Sequence, residues 1–449
     1  MYRLIGILFL LFITGGIITL PAQAPQHKGL TYYDKTTYDA YLQGNWHAVI
    51  RTGREALKEG IDFYYLRMRI GIAYYSLKNY DKAIVHFRKA QAFNSKDIVA
   101  RQYLYYCYLF SGREADRHAL MHHMPVRLRD EVKAGKLTGL TGFELTAVYF
   151  NNMDQGAVDD YDPSDLPSSE GSQTFVNRGG DGAMLFTFQA GENTSLRFGY
   201  RFLSKNRLLH YLDIDGTYTL PDNSFTQHQL YGSFRFRLAQ GLTLDLSFNY
   251  LNLRTVVPAT VNGNRVYLVT AGSSDGTSYL SLRKVFPYVS VSAGVGFSGM
   301  NNFQQLQSDG RLIVYPLGNL NLYAGTGITW LMQGDITTTL QEQTSLIWTP
   351  LLGVRIAKTL WSEAYASIGD LSNYQTAEGW LLYNDLNPVS FNAGVNLLYV
   401  VPKNGMTLSF SPSWSQATSY YFTTDDLTQQ YKPIDYRMLN FKLGIKWNF

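Results

Sequence analysis

Seven cations recur at alternate positions of stretches whose intervening positions are mostly apolar: Arg197, Arg201, Arg235, Arg237, Arg283, Lys442 and Lys446, with the acids Asp245 and Glu144 among them. If the apolar neighbours meet lipid, these side chains point inward. A lumen lined by guanidinium and ammonium groups attracts anionic solutes or an anionic chain. The same pattern fits a closed interior in which inward-folded loops or a structural charge network neutralise the cations, and sequence leaves both open.

Other chemistry is thin. Beyond residue 123 the histidines are His210 and His228, and neither lies in a Ser, His, acid arrangement for nucleophilic catalysis. No enzymatic role and no cofactor are expected. His118, His122 and His123 lack companion Cys or carboxylate residues at metal-ligand spacing. The stretch "NNMDQGAVDDYDPSDLPSSEG" carries Asp154, Asp159, Asp160, Asp162, Asp165 and Glu170. It lacks the glycine and closing Glu of a calcium loop and reads as a solvated surface loop. Cys107, the sole cysteine, sits in the apolar run "RQYLYYCYLF" and reads as a small core residue. The chain has no phosphate loop, dinucleotide fingerprint or basic stripe for nucleic acid.

The elements that must position the cations are strands. From residue 137 to 449 the apolar period is two: Leu196, Phe198, Tyr200 and Phe202 alternate with Ser195, Arg197, Gly199 and Arg201, and Leu244, Leu246 and Phe248 alternate with Asp245 and Ser247. Tight turns at Gly191-Glu192-Asn193, Ala239-Gln240-Gly241, Gly318-Asn319 and Lys403-Asn404-Gly405 alternate with mostly longer polar connections. The strands are long enough to cross a bilayer when tilted. Strands in lipid must be fully paired, so the sheet must close. The spacing predicts a transmembrane antiparallel β-barrel of about fourteen strands. An even count puts both ends of the barrel on one side.

Residues 30–135 read differently. Their apolar spacing is helical, and the turn signals Gly44-Asn45, Lys78-Asn79 and Ser111-Gly112 recur about every 34 residues. Residues 25–135 carry 18 Lys and Arg against 11 Asp and Glu, a balance that favours an acidic partner or anionic headgroups. Residues 1–24, "MYRLIGILFLLFITGGIITLPAQA", have one cation, an uncharged run and an A-x-A ending, and read as a secretory signal peptide. The whole is an α+β multidomain chain: a signal peptide at 1–24, a helical domain with a short linker at 30–135, and a barrel at 137–449.

Within 64–97, Gly71, Tyr74, Tyr80, Ala83, Phe87 and Ala90, together with Ile70, occupy the interlocking positions of a tetratricopeptide repeat, which this segment resembles. Arg67 stands where that family usually has an aromatic, and Ser95 where it usually has proline. Steps of 34 residues in both directions find two degenerate neighbours, as terminal repeats should be. The segment "NFKLGIKWNF", with Phe441, Leu443, Ile445, Trp447 and Phe449 on one face, resembles the closing motif of bacterial outer-membrane barrels. That resemblance implies recognition by the barrel-assembly machinery and an outer-membrane lipid environment. The layout of repeats before a barrel is similar to that of polysaccharide-export porins, which implies a periplasmic helical domain. The expected function is a barrel whose repeat domain docks a periplasmic or outer-membrane protein in an envelope complex for export, secretion or surface assembly. The alternative is a transport pore for anionic solutes or polysaccharide, with the helices as plug or gate.

Overall fold

The computed structural model describes residues 28–154, 156, 171–213, 216–260, 266–335, 343–384, 387–402, 405–423 and 431–449. The signal-peptide reading at 1–24 and most of the acidic loop lie outside the described residues.

Three helical hairpins come first: α1 (Leu30–Leu42) with α2 (Trp46–Lys58), α3 (Tyr64–Ser76) with α4 (Tyr80–Phe93), and α5 (Ile98–Phe110) with α6 (Glu114–His122), followed by the short α7 (Val126–Glu131). The hairpins start 34 residues apart, at Leu30, Tyr64 and Ile98. Polar caps set the starts: Asn45 accepts from Ala48 N at 3.2 Å, Asn79 from Lys82 N at 3.2 Å, and Asp97 from Ala100 N at 2.9 Å.

The hairpins interlock through the expected small and large residues. Ala83, Phe87 and Ala90 are fully buried, Tyr74 is nearly so, and Cys107 packs in the same core. Tyr80 is half-buried, its ring meeting Tyr75 and Phe110. Gly71 lets the Phe87 ring approach so closely that a Cβ there would lie 2.7 Å from it. Gly71→Val is expected to cost about 1–3 kcal/mol through overpacking. Thermal loss of the helical circular-dichroism signal should shift down while the barrel stays folded.

Arg67 has a role of its own at the position where the repeat usually carries an aromatic. It is bound to Asp62 at 2.6 Å and faces His86 Nδ1 at 3.3 Å, while the His86 ring stacks on Tyr74. Burial, then the Arg67 charge, hold the His86 imidazole down at about 4. The unfolded chain takes up that proton near the ordinary value of 6.5. The folded helices therefore lose stability as pH falls from 6.5 towards about 4, at no more than about 1.4 kcal/mol per pH unit. His86→Gln should flatten this acid limb in a pH series of melting temperatures, and an unaltered limb would assign it to other groups.

The strands follow: β1 (Gly139–Asn152), β2 (Gly171–Gln189), β3 (Thr194–Asp213), β4 (Gly216–Ala239), β5 (Leu242–Thr260), β6 (Val266–Phe286), β7 (Val289–Met300), β8 (Phe303–Val314), β9 (Leu322–Asp335), β10 (Gln343–Ala357), β11 (Leu360–Ile368), β12 (Tyr374–Gln375), β13 (Leu382–Tyr383), β14 (Val389–Val400), β15 (Met406–Thr423) and β16 (Tyr431–Asn448). Fourteen of them form one closed antiparallel barrel, and β12 with β13 makes a separate two-residue ribbon. The seam runs from Gly142 opposite Asn448 to Asn152 opposite Met438. The longest strands are β2, β3, β4, β5 and β6, which reach furthest at the mouth away from the helices. There the apolar alternation fades while the backbone ladder continues.

One face of the barrel carries exposed apolar side chains all the way round, among them Leu145, Phe198, Phe234, Phe248, Leu282, Phe297, Trp330, Leu346 and Leu443. A soluble monomer does not expose a continuous belt of this kind, and a closed sheet with an apolar exterior is matched to a lipid bilayer.

The helical domain sits on one mouth. Asn79 donates to Tyr288 OH at 2.8 Å, Asn319 donates to Lys78 O at 2.8 Å, and Tyr288 N donates to Asp81 at 3.2 Å. At the neighbouring β4–β5 turn Asp116 accepts from Arg237 at 2.8 Å and from Gly241 N at 3.0 Å. The linker is pinned as well: His118 Nε2 lies 3.2 Å from Leu137 O, and Lys136 Nζ lies over the Phe449 ring, 5.4 Å from its centroid.

Candidate functional site

The described residues between β11 and β14, 369–384 and 387–388, enter the lumen. Its Asn387 donates to Thr174 O on β2 and to Tyr436 OH on β16; Gln229 on β4 donates to Trp380 O; Asn249 on β5 donates to Gly379 O; Gln307 on β8 donates to Gln375 O. A segment that touches strands around the whole circumference lies inside the closed sheet. The inner wall makes room for it. At Gly199 a Cβ would fall 2.5 Å from the Trp380 ring, and at Gly296 one would fall 2.6 Å from the Gln375 amide.

The inward arginines meet this segment. Glu378, in a single 3-10 turn at Ala377–Gly379 and with φ of +71°, offers its two carboxylate oxygens to Arg197 and Arg235, each at 2.7 Å. Arg197 also donates to Ser233 and to Tyr231 OH, both at 3.1 Å, and Arg235 is further paired with Asp245. Charge-assisted bonds of this kind are the strong ones in a region shielded from bulk water.

The remaining sequence-derived cations divide into three groups. Arg201 pairs with Asp181 on the neighbouring strand, and Arg237 pairs with Asp116 of α6. Lys442 and Lys446 are exposed. Lys446 acts on the solvent-exposed Glu114 of α6: crowding by surrounding protein opposes ionisation, but Lys446, Arg117 and Arg235 outweigh it and leave the carboxyl below its ordinary range. Arg283 forms no hydrogen bond or ion pair among the described residues, and the same holds for Arg311, which sequence reasoning did not single out. The signal for Arg311 was present: it alternates with Leu312 on β8 as Arg283 does with Leu282 on β6.

Carboxylates thus meet some of these cations and leave others without one among the described residues. Four of the five arginines have carboxylate partners, one of them on the inserted segment and one on the helical domain.

The row Phe441, Leu443, Ile445, Trp447 and Phe449 is exposed on the outer face of β16, with the Trp447 and Phe449 rings 5.2 Å apart and Phe449 N donating to Thr141 O at 2.9 Å. His228 bonds Tyr200 at 2.8 Å on the outer face, whereas His210 is buried against the Phe175 ring. Among the described residues no group of three or more His, Cys, Asp or Glu is placed to hold a metal ion. Asp154, the described carboxylate of the acidic loop, is engaged by Arg437.

The sequence profile of the tetratricopeptide repeat matches residues 64–97, the span of α3, α4 and their following turn. Residues 64–97 are a tetratricopeptide repeat. No curated protein matches the sequence. Solved structures with barrel likeness include a Pseudomonas aeruginosa FadL homologue at 9% identity and TM-score 0.42, covering 69% of this chain and 90% of that one. The Pseudomonas putida toluene transporter TodX matches at 9% identity and TM-score 0.43 with the same coverage, and the translocator domain of the Neisseria meningitidis autotransporter NalP at 11% and 0.28, covering 76% and 99%. Likeness at this level carries no argument about what the chain does. The fourteen-strand architecture rests on its own strand pairing.

Proposed function

We propose that this is a bacterial outer-membrane barrel whose tetratricopeptide domain, on the periplasmic side, docks a partner protein in an envelope complex for export, secretion or surface assembly. The observation that carries the reading is a division of labour: the barrel's lumen holds a segment of its own chain, while the repeat domain keeps a free aromatic face. In a tetratricopeptide stack the first helix of each pair lines the recognition groove. Here those helices are α1, α3 and α5. They present Tyr38 and Tyr65 with Arg69 lying over both rings, at 5.0 and 5.9 Å, then Tyr75 against Tyr103 at 5.0 Å, and Tyr106 against a well-exposed Phe110. Rigid aromatics interleaved with a cation are the anchors that peptide-binding surfaces use, and the domain's excess of Lys and Arg suits an acidic segment.

The test uses the whole chain. Crosslinking in cells followed by purification should recover a periplasmic or outer-membrane protein with the native chain and lose most of it with Tyr65→Ala combined with Phe110→Ala. Heat-modifiable mobility of the barrel should not change. Recovery of the same protein at equal yield with the double variant would refute docking through this face.

The outward row on β16 supports a second element of the proposal, recognition by the barrel-assembly machinery. Phe449→Ala is expected to lower the fraction of heat-modifiable barrel in outer-membrane fractions several-fold, and an unchanged fraction would count against that recognition.

A further inference from the structure

Among the described residues Arg283 and Arg311 of the inner wall have neither an ion pair nor a hydrogen bond, and they belong together. Arg283 on β6 lies opposite Ser292 on β7, and Ser292 lies opposite Arg311 on β8. The same row continues to Gly327 on β9 and Thr349 on β10. One register level thus places two guanidinium groups on either side of a serine, their Cα atoms about 10 Å apart across two strand spacings. Both line a lumen cavity whose wall also includes Ser292, Tyr279, Thr349 and, from the inserted segment, Tyr374.

The charge balance of that cavity favours an anion. Its acids are Asp245, Asp309 and Glu378. Asp245 and Glu378 are held by Arg235 and Arg197. Asp309 accepts hydrogen bonds from Gln307 and Thr329, neither of which is charged. Counting those pairing arginines, four cations face three acids, so one positive charge remains.

The site has a neighbouring space on the helical side. A second cavity lies between the repeat domain and the barrel mouth, bounded by Asp81, Gly112, Arg113 and Asn319, and it shares Arg283 and Ser290 with the lumen cavity as common walls. Arg283 thus borders both spaces.

We propose that Arg283 and Arg311, with the Ser292 hydroxyl between them, form a binding site for a small organic oxyanion, a carboxylate or phosphate monoester. A guanidinium presents a planar fork matched to either group. This inference does not depend on partner docking, since it uses no residue of the aromatic face.

Calorimetric titration of the full chain in detergent would test it, with inorganic phosphate in one arm and succinate in the other, against a chloride background. Saturable binding is expected in at least one arm, and the stronger arm identifies the source chemistry. Arg283→Gln and Arg311→Gln should each weaken it by roughly tenfold or more, the loss associated with a charged hydrogen bond. Arg437→Gln, on the exposed end of β16, should leave it unchanged. Heat-modifiable mobility verifies that each variant is folded, and Arg283→Lys, which keeps the charge but not the fork, should bind with intermediate strength. Absence of saturable binding in both arms, or equal binding in the native chain and both glutamine variants, overturns the proposal.

Discussion

Replacing residues 370–387 with a short Asn-Gly turn is expected to convert a nearly silent barrel into an open pore, raising single-channel conductance in planar bilayers by roughly tenfold or more, since fourteen strands enclose more space than side chains alone fill. The strands permit the replacement: Ile368 on β11 already lies opposite Phe391 on β14, so the ends of the inserted segment are adjacent. Ordering the backbone of such a segment costs about 1–2 kcal/mol per residue. Neutral hydrogen bonds return only about 1 kcal/mol each and charged ones about 1.5–3 kcal/mol. The segment therefore needs its buried Leu371, Tyr374 and Leu382 as well as the Glu378 bonds, which are its strongest polar anchors. Two point variants separate these contributions. Glu378→Gln removes the charge but leaves Trp380 seated, and should give brief openings. Gly199→Leu drives a side chain into the place of the Trp380 ring and should give longer ones. If the shortened chain is folded by heat-modifiability and conducts no more than the native one, the inserted segment is not what closes the lumen.

The barrel was legible in the sequence because alternation is a local signal, repeated strand after strand. "SLRFGYRF" needs no partner to show which of its side chains share a face. The repeat was legible for a similar reason, since Gly71, Ala83 and Phe87 encode a close approach by size alone. What was hidden is the inserted segment. "DLSNYQTAEGWLLYNDLNP" has no period, and its polar residues read as a solvated connection. Its place in the lumen is decided by partners far away in sequence, such as Arg197 and Arg235 for Glu378, and Gln227 for Asn384. The sorting of the arginines was hidden for the same reason. Arg235 and Arg283 look alike in their strands, and only the neighbouring strand and the inserted loop decide that the first is paired and the second is not.

Asp116→Ala is expected to release the repeat domain from the barrel mouth. Asp116 is only 4% exposed. It accepts from Arg113 at 2.6 and 2.9 Å, from Arg237 at 2.8 Å and from the Gly241 amide at 3.0 Å. One carboxylate thus joins the α5–α6 turn, the inner wall of β4 and the β4–β5 turn. Truncating it leaves two guanidinium groups and an amide without their acceptor, a change that costs about 3–5 kcal/mol for a buried pair. The contacts at the neighbouring turns are two neutral hydrogen bonds, Asn79 with Tyr288 and Asn319 with Lys78, worth about 1 kcal/mol each, and one from Tyr288 N to the Asp81 carboxylate worth about 1.5–3 kcal/mol, and they hold the domain less firmly once Asp116 is gone. Limited proteolysis should then cut the linker at residues 132–138 at least tenfold faster, while the barrel keeps its heat-modifiable mobility. Arg237→Gln should have a smaller effect, because Asp116 retains Arg113 and Gly241. The double variant Asp116→Ala with Arg237→Gln should be less damaging than the sum of the two, since removing both charges leaves fewer buried and unpaired. Equal cleavage rates in the native chain and Asp116→Ala would mean that the domain is held by its apolar contacts, such as Gly112 against Leu320, and that the buried carboxylate serves the fold of α6 alone.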